Sequence, residues 1–349
     1  MSKTRSQFIH IGVIGFGYWG PNLVRNFSEI PGSRVVAVSD LRPERLAQVQ
    51  VRYPSIKTTT SHRDLFADPS IDAIAIATPV STHFELAMQA LQAGKHVLVE
   101  KPLAATAEQA ERLLEIAARC QRTLMVDHTF IYTSAVRKIK GLVSSGHLGE
   151  LYYYDSVRVN LGLFQHDVNV LWDLAVHDLS IMDYVLDARP CAVVATGIAH
   201  VSGQPKDVAY LTCFFDGNLI AHFHVNWLSP VKIRRTLIGG DRQMIVYDDL
   251  EPSEKVKVYD KGITLDSGAE GRYQQLVGYR TGDMWAPQLD TTEALRTEAL
   301  HFIECLEQSR QPITDGQVGL RVVRILEAAN HSLSQRGRPV ELCWEGALV

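Results

Sequence analysis

The chain has 349 residues, 46% hydrophobic and 21% charged, a balance that excludes a long disordered polypeptide and leaves ample apolar surface to bury. At about 150 residues per domain this length suits two domains with a cleft between them. Thirty-nine acidic side chains against 35 lysines and arginines give a net charge of −4, so no basic field is present to hold nucleic acid or an anionic membrane, and small-molecule partners are expected.

The five cysteines, Cys120, Cys191, Cys213, Cys305 and Cys343, are scattered and never form a C-x-x-C pair, which fits a reducing cytoplasm. The polar Met1–Gln7 segment leads straight into a strand pattern. It contains neither a signal-peptide core nor about 20 consecutive apolar residues, so neither export nor a membrane span is expected.

Phe8 to Ile14 is an apolar run of strand length, and Gly15-Phe16-Gly17-Tyr18-Trp19-Gly20 follows it directly. Pro21 suits a first helical turn, and Leu23, Val24 and Phe27 then share one helical face. A strand, a glycine turn and a helix in this order make a dinucleotide site. The glycines permit a tight turn and close backbone approach, while the helix start offers unpaired N–H groups to a pyrophosphate. The next strand, Arg34 to Ser39, ends at Asp40, with Leu41 and Arg42 behind it. Asp40 stands where a carboxylate binds the adenosine ribose hydroxyls and repels a 2′-phosphate, favouring NAD over NADP. Arg42 is the group that could instead turn toward such a phosphate.

Ser61 to Pro69 reads as a connection. Ile71 to Ala77 is the next buried strand and runs into Thr78-Pro79-Val80-Ser81-Thr82-His83, placing Thr78, Pro79 and His83 beside a bound cofactor. A helical pattern from Phe84 to Ala93 closes at Gly94. Val97-Leu98-Val99 then emerges into Glu100-Lys101-Pro102, with Pro102 stopping the strand because it has no N–H for the ladder. A helix over Thr106–Cys120 and a strand over Thr123–Val126 complete a βα alternation typical of a doubly wound parallel sheet.

The glycine hexapeptide, Asp40, Thr78–His83 and Glu100-Lys101-Pro102, in this order and spacing, resemble the Gfo/Idh/MocA oxidoreductases, and the resemblance extends over nearly the whole chain. It implies an α/β protein with an N-terminal NAD-binding Rossmann domain, residues 1–127. A C-terminal α+β domain, residues 128–349, would carry a large, mostly antiparallel open sheet used for substrate binding and for assembly into a dimer or tetramer.

Beyond Asp127 the pattern changes. A helix is expected over Ser134–Ser145, with strands over Glu150–Asn160, Val193–His200, Val208–Phe215, Asn218–Leu228 and Arg234–Ile238. Trp172 to Leu186 reads as an amphipathic helix with Asp173 and His177 four residues apart on one face. The resemblance makes this D-x-x-x-H pair and Lys101 the catalytic set. His177 or Lys101 would take the hydroxyl proton, Lys101 would stabilise the developing alkoxide, and Asp173 would orient the imidazole. The approach to this helix, Phe164 to Trp172, is polar where many relatives are glycine-rich. That departure resembles the branch acting at C3 of UDP-linked N-acetyl sugars, with Arg158, Asn160, Asn169 and Trp172 as further substrate contacts.

His222-Phe223-His224 lacks a third ligand at a suitable spacing, and no metal is expected. Glu251 to Asp260 reads as an exposed charged hairpin, and Thr291–Gln308 and Asp315–Arg336 as helices, the first amphipathic through Ala294, Leu295, Leu300, Phe302, Ile303 and Leu306. The leading expectation is an NAD-dependent dehydrogenase making a 3-keto UDP-sugar, with a downstream aminotransferase as the partner that would draw the reaction forward. The alternatives are an inositol or free-sugar dehydrogenase, an enzyme of NAD-dependent glycoside cleavage, and a non-catalytic NAD-binding regulator.

Overall fold

The computed structural model of the protein describes residues 8–162, 168–265 and 277–344. Its contacts divide the chain into two units, one of residues 1–133 with 292–324, the other of residues 134–291 with 325–349. The sequence reading places one crossing after Asp127. Here the first unit extends through Thr133 and takes back a late segment. That return has visible anchors: Glu293 accepts from both Nη atoms of Arg25 at 2.6 and 3.0 Å, and Arg324 donates to Glu111 at 2.8 Å.

In the first unit the order is β1 (Ile9–Ile14), α1 (Gly20–Glu29), β2 (Ser33–Ser39), α2 (Pro43–Arg52), β3 (Lys57–Thr59), α3 (His62–Ala67), β4 (Ala73–Ile76), α4 (His83–Gln92), β5 (His96–Glu100), α5 (Ala107–Cys120) and β6 (Leu124–Asp127). The six strands pair in parallel in the order β3-β2-β1-β4-β5-β6. Central strands are apolar on both faces, and Val13, Ile74, Val97, Val99 and Met125 are fully buried, as a sheet covered on both sides requires. α3 occupies the stretch read as a connection, Ser61 to Pro69, and β3, just before it, is a strand that the sequence reading lacks. Three half-polar residues carry too little apolar signal to announce a strand.

α5 starts where the Thr106 hydroxyl accepts the Gln109 N–H at 3.2 Å and stops at Gln121 in the left-handed region, φ 52°. A 3-10 turn over Thr129–Tyr132 follows β6, and the late segment packs against it.

The second unit holds α6 (Ser134–Ser144), β7 (Leu151–Leu161), a π-helical turn over Leu171–Ala175, and α7 (Val176–Val185). β8 (Pro190–Ile198), β9 (Val208–Phe215), β10 (Ile220–Asn226), β11 (Leu228–Gly240), β12 (Met244–Asp248) and β13 (Val256–Tyr259) follow. After them come β14 (Gly262–Leu265), β15 (Val277–Arg280) and β16 (Met284–Trp285). The late segment of the first unit carries α8 (Ala294–Gln308). α9 (Gly316–Ser334) runs from the first unit into the second, and β17 (Val340–Glu341) closes the element order.

Nine strands of the second unit form one sheet in the order β16-β13-β12-β11-β7-β10-β9-β8-β17, antiparallel except for the β7–β10 pair. Alternation sets its two faces: Leu211, Cys213, Phe223 and Val225 are buried, while Tyr210, Phe214 and Ile220 on the opposite face are exposed.

Three helical expectations change. α7 is not amphipathic: none of its residues is exposed, because it packs against β7 and α6 together. Its first turn is also π-helical rather than a continuation of one α-helix. α8 begins at Ala294 rather than Thr291, and Ala294 and Leu300 are only half-buried while Glu298 and Ala299 fill the buried face. The hairpin read over Glu251–Asp260 is charged at its turn, yet its strand, β13, buries Val256 and Val258 completely.

Candidate functional site

The turn between β1 and α1 is made by what glycine lacks. Gly15 has φ +93°, and a Cβ there would lie 2.4 Å from the Ala77 carbonyl oxygen; a Cβ on Gly20 would lie 2.0 Å from the Gly15 carbonyl oxygen. Gly17 differs. A Cβ there would meet nothing closer than Arg42 Nη2 at 3.7 Å, so this stretch of backbone is open to a ligand rather than to packing. α1 has no acidic side chain in its first turn and no side-chain cap, which leaves its N–H groups and positive dipole end available to an anion.

Asp40 stands at the end of β2 against this turn. One carboxylate oxygen accepts the Phe16 N–H at 2.7 Å; the other accepts from the Arg42 N–H at 2.9 Å and from Arg42 Nε at 3.3 Å. Burial alone would raise its pKa, but the two backbone donors and the guanidinium outweigh it and hold the carboxyl below the usual aspartate range. Tyr18 and Leu41 flank it 89% and 82% exposed, two large apolar side chains presented to solvent beside a carboxylate that a ribose could reach. Together these features fit a dinucleotide.

Thr78 lies two residues beyond β4, and its hydroxyl meets that of Thr82 at 2.7 Å. His83 behaves otherwise than expected for a cofactor contact. It is 0% exposed, with one ring nitrogen 2.8 Å from the Pro102 carbonyl and the other 2.8 Å from the Thr78 carbonyl, and burial lowers its pKa. A neutral imidazole donates to one of the two, so His83 braces the Thr78 loop against the segment after Lys101. Glu100 Oε2 accepts the Lys101 N–H at 3.1 Å, and the Lys101–Pro102 peptide is cis. Lys101 itself is half-buried at the mouth of β5.

In the second unit the Asn169 side chain caps the π-helical turn. Its Oδ1 accepts the Leu171 N–H at 3.0 Å and the Trp172 N–H at 3.4 Å, and its amide nitrogen donates to Asn330 at 2.7 Å. Asp173 Oδ2 accepts from Trp227 Nε1 at 2.9 Å, which fixes the carboxylate at the turn leading to His177; both residues are half-buried. Trp172 is 6% exposed, and its indole N–H is buried with no partner among the described residues.

Arg158 corrects an expectation. It is not an open strand-end group but 3% exposed, and its guanidinium donates to both oxygens of Asp178 on α7 at 2.7 and 2.9 Å. The inward face of β7 is where α7 packs, so the even-numbered residue points at the helix. Asn160 stays half-buried near the end of β7. The first part of the polar approach, Phe164 to Asp167, lies outside the described residues.

Four contributors are absent from the sequence reading: Asp127, Glu298, Trp227 and the indole of Trp19. Asp127 carried a signal, an acid ending a buried parallel strand as Asp40 and Glu100 do. Glu298 carried another, since it falls at helical spacing with the buried Leu295, Ala299 and Phe302. The Trp227–Asp173 contact spans 54 residues and has no local signature.

Residues 9–128 match the oxidoreductase family with an NAD-binding Rossmann fold, GFO/IDH/MocA, and residues 136–246 match the GFO/IDH/MocA C-terminal domain. The UDP-N-acetylglucosamine 3-dehydrogenase of Acidithiobacillus ferrooxidans is 27% identical, over 89% of this chain and 93% of its own. The scyllo-inositol 2-dehydrogenase (NAD(+)) of Bacillus subtilis is 26% identical, over 97% of this chain and 96% of its own. A solved structure of the Acidithiobacillus enzyme superposes with a TM-score of 0.80 at 25% identity, covering 94% of this chain and 98% of that one.

Proposed function

We propose, for a chain that belongs to the GFO/IDH/MocA oxidoreductase family and carries its NAD-binding Rossmann domain, that it oxidises the C3 hydroxyl of a UDP-N-acetylhexosamine to a 3-keto sugar nucleotide. The observation that carries this reading is the similarity to a UDP-N-acetylglucosamine 3-dehydrogenase in both sequence and structure. NAD, when bound, supplies the hydride acceptor. Every other task falls to the chain. Gly17, Asp40 and the start of α1 hold the dinucleotide. Lys101 stabilises charge on the substrate oxygen, His177 takes the hydroxyl proton, and Asp173, steadied by Trp227, orients the imidazole. Trp172, whose indole N–H has no partner among the described residues, supplies a donor for a polar substrate, and Asn160 a second polar contact.

The exposed face bearing Tyr210, Phe214 and Ile220 is assigned to self-association into a dimer or tetramer, which light scattering tests and which charged substitutions there would break. A 3-keto product is the kind of carbonyl an aminotransferase consumes, which would draw an unfavourable oxidation forward. The competing reading, oxidation of an inositol ring hydroxyl, rests on the comparable similarity to the inositol dehydrogenase. Incubation with NAD and either UDP-N-acetylglucosamine or an inositol, following reduced-cofactor absorbance, separates the two. Turnover of free N-acetylglucosamine as fast as its UDP form would refute the sugar-nucleotide reading, because remote binding energy should raise rate as well as affinity.

A further inference from the structure

Behind the glycine turn, three carboxyl groups meet in the interior of the first unit. Glu100 and Asp127 are register partners at the ends of β5 and β6, and Glu298 reaches them from α8, which packs against the 3-10 turn over Thr129–Tyr132. Asp127 is 2% exposed and Glu298 0%. Asp127 Oδ2 accepts from Trp19 Nε1 at 2.8 Å, and Oδ1 accepts from the Thr129 hydroxyl. Glu100 Oε1 and both oxygens of Glu298, by contrast, are buried without a hydrogen bond among the described residues; the Thr129 hydroxyl lies near Glu298 but is given to Asp127. Three charged carboxylates in this space would repel one another and leave three acceptor atoms dry, each at a desolvation cost.

A proton on each glutamate removes the conflict. An ionised carboxylate has about four lone-pair sites, and Trp19 and Thr129 fill one on each oxygen of Asp127. Glu100 and Glu298 both lie within hydrogen-bonding reach of Asp127, so their O–H groups can fill the remaining two. We propose that Glu298 and Glu100 are proton-carrying positioning residues that donate to the Asp127 carboxylate and thereby fix Trp19, and with it the glycine turn and the start of α1, for NAD. Trp19 is both the residue before α1 and the fifth residue of the turn, so its indole ties the dinucleotide backbone to the end of β6, the neighbour of the β5 end that Lys101 follows.

Burial and then the charge of Asp127 push both glutamates well above the ordinary carboxyl range, in agreement with the geometry. The groups facing Glu298 are Asp127 and Glu100 from the strand ends and Thr129 and Tyr132 from the 3-10 turn. Lys101 lies near Glu100, and His128, held neutral by burial to a pKa of about 4, lies beside Asp127 and Lys101. From α1, Arg25 is committed to Glu293 nearer the solvent. Because folding raises these pKa values, the contribution of the protonated cluster is complete below the unfolded glutamate range. It is lost as pH rises through the raised folded value.

The test compares the parent with Glu298→Gln, which keeps a donor but has no proton to lose, and with Glu298→Leu, which has neither. In the NAD-free protein at neutral pH, infrared difference spectra should show a carboxylic-acid carbonyl band in the parent that loses its Glu298 component in Glu298→Gln while the Glu100 component stays. By calorimetry, NAD affinity of the parent should weaken at alkaline pH more steeply than that of Glu298→Gln, in which only Glu100 still has a proton to lose. Glu298→Leu should bind NAD about tenfold more weakly even at neutral pH, the scale of one lost hydrogen bond to a charged group. An unchanged infrared band in Glu298→Gln, or alkaline weakening parallel to that of the parent, overturns the proposal even if the leucine variant fails to fold.

Discussion

The glycine turn before α1 and the π-helical turn before α7 each deliver polar groups to a helix start, but they are held by different means. At the first, the constraints are on the backbone itself. Gly15 and Gly20 have no room for a Cβ, and Asp40 receives the N–H of Phe16. At the second, a π-helical turn, no position demands glycine and the constraints are partners: Asn330 for Asn169, Trp227 for Asp173, and Arg158 for Asp178 beside His177. A backbone constraint selects a residue type that can be read from the chain, whereas a partner constraint selects a contact that the chain does not name. Substitutions at the two turns should therefore fail differently, the first by clash and the second by orphaned polar groups.

The largest expected effect tests the partner side. Arg158→Met leaves the Asp178 carboxylate buried without its cation, which should cost about 3–5 kcal/mol of stability, read as a lowered midpoint in thermal unfolding. Arg158→Met with Asp178→Leu should recover most of the loss. If the single variant melts with the parent, the ion pair is not what seats α7 on β7.

Next come the groups assigned to chemistry, one from each unit. Lys101→Met and His177→Asn should each lower turnover at least about a hundredfold while NAD affinity stays near that of the parent, and Asp173→Asn should fall less far. Near-normal turnover in both of the first two on the true substrate would sink the assignment, however well the dinucleotide site is confirmed.

Two alanines sharpen the backbone side. Gly20→Ala forces a Cβ onto the Gly15 carbonyl and should cost roughly 1–3 kcal/mol in the NAD-free protein. Gly17→Ala meets only the flexible end of Arg42, so the NAD-free protein should melt unchanged while NAD affinity drops. Equal destabilisation by both would mean that Gly17 serves packing rather than ligand approach.

The same division explains what was legible in the sequence. The parallel sheet, the glycine turn, Asp40 and the Glu100-Lys101-Pro102 strand end could be read because apolar runs, glycines and strand-terminal charges are local signals. β3 could not, having three half-polar residues. Nor could the all-round burial of α7, since its apolar content looks the same whether one face or every face is covered. His83 and Arg158, at element ends, read as ligand contacts in the sequence; only the fold shows carbonyls on both nitrogens of one and a carboxylate against the guanidinium of the other.

The smallest expected effect concerns the choice of cofactor, where a local signal left a question open. Arg42 could serve a 2′-phosphate, but its Nε lies 3.3 Å from Asp40 Oδ1, so here the guanidinium is turned onto the carboxylate that would repel that phosphate. Asp40→Ala removes the repulsion and frees Arg42 in one step. The preference for NAD over NADP should then narrow by about tenfold, mainly through tighter NADP binding, in parallel titrations of the two cofactors. The pH dependence has a definite sign. Folding depresses the Asp40 pKa, so its contribution is present above the unfolded aspartate range and lost only as pH falls through the depressed folded value. NAD binding should therefore hold through mildly acid pH in the parent and lose its Asp40-dependent acid limb in Asp40→Asn. A parent that binds NADP more tightly than NAD would show that Arg42, not Asp40, sets the choice.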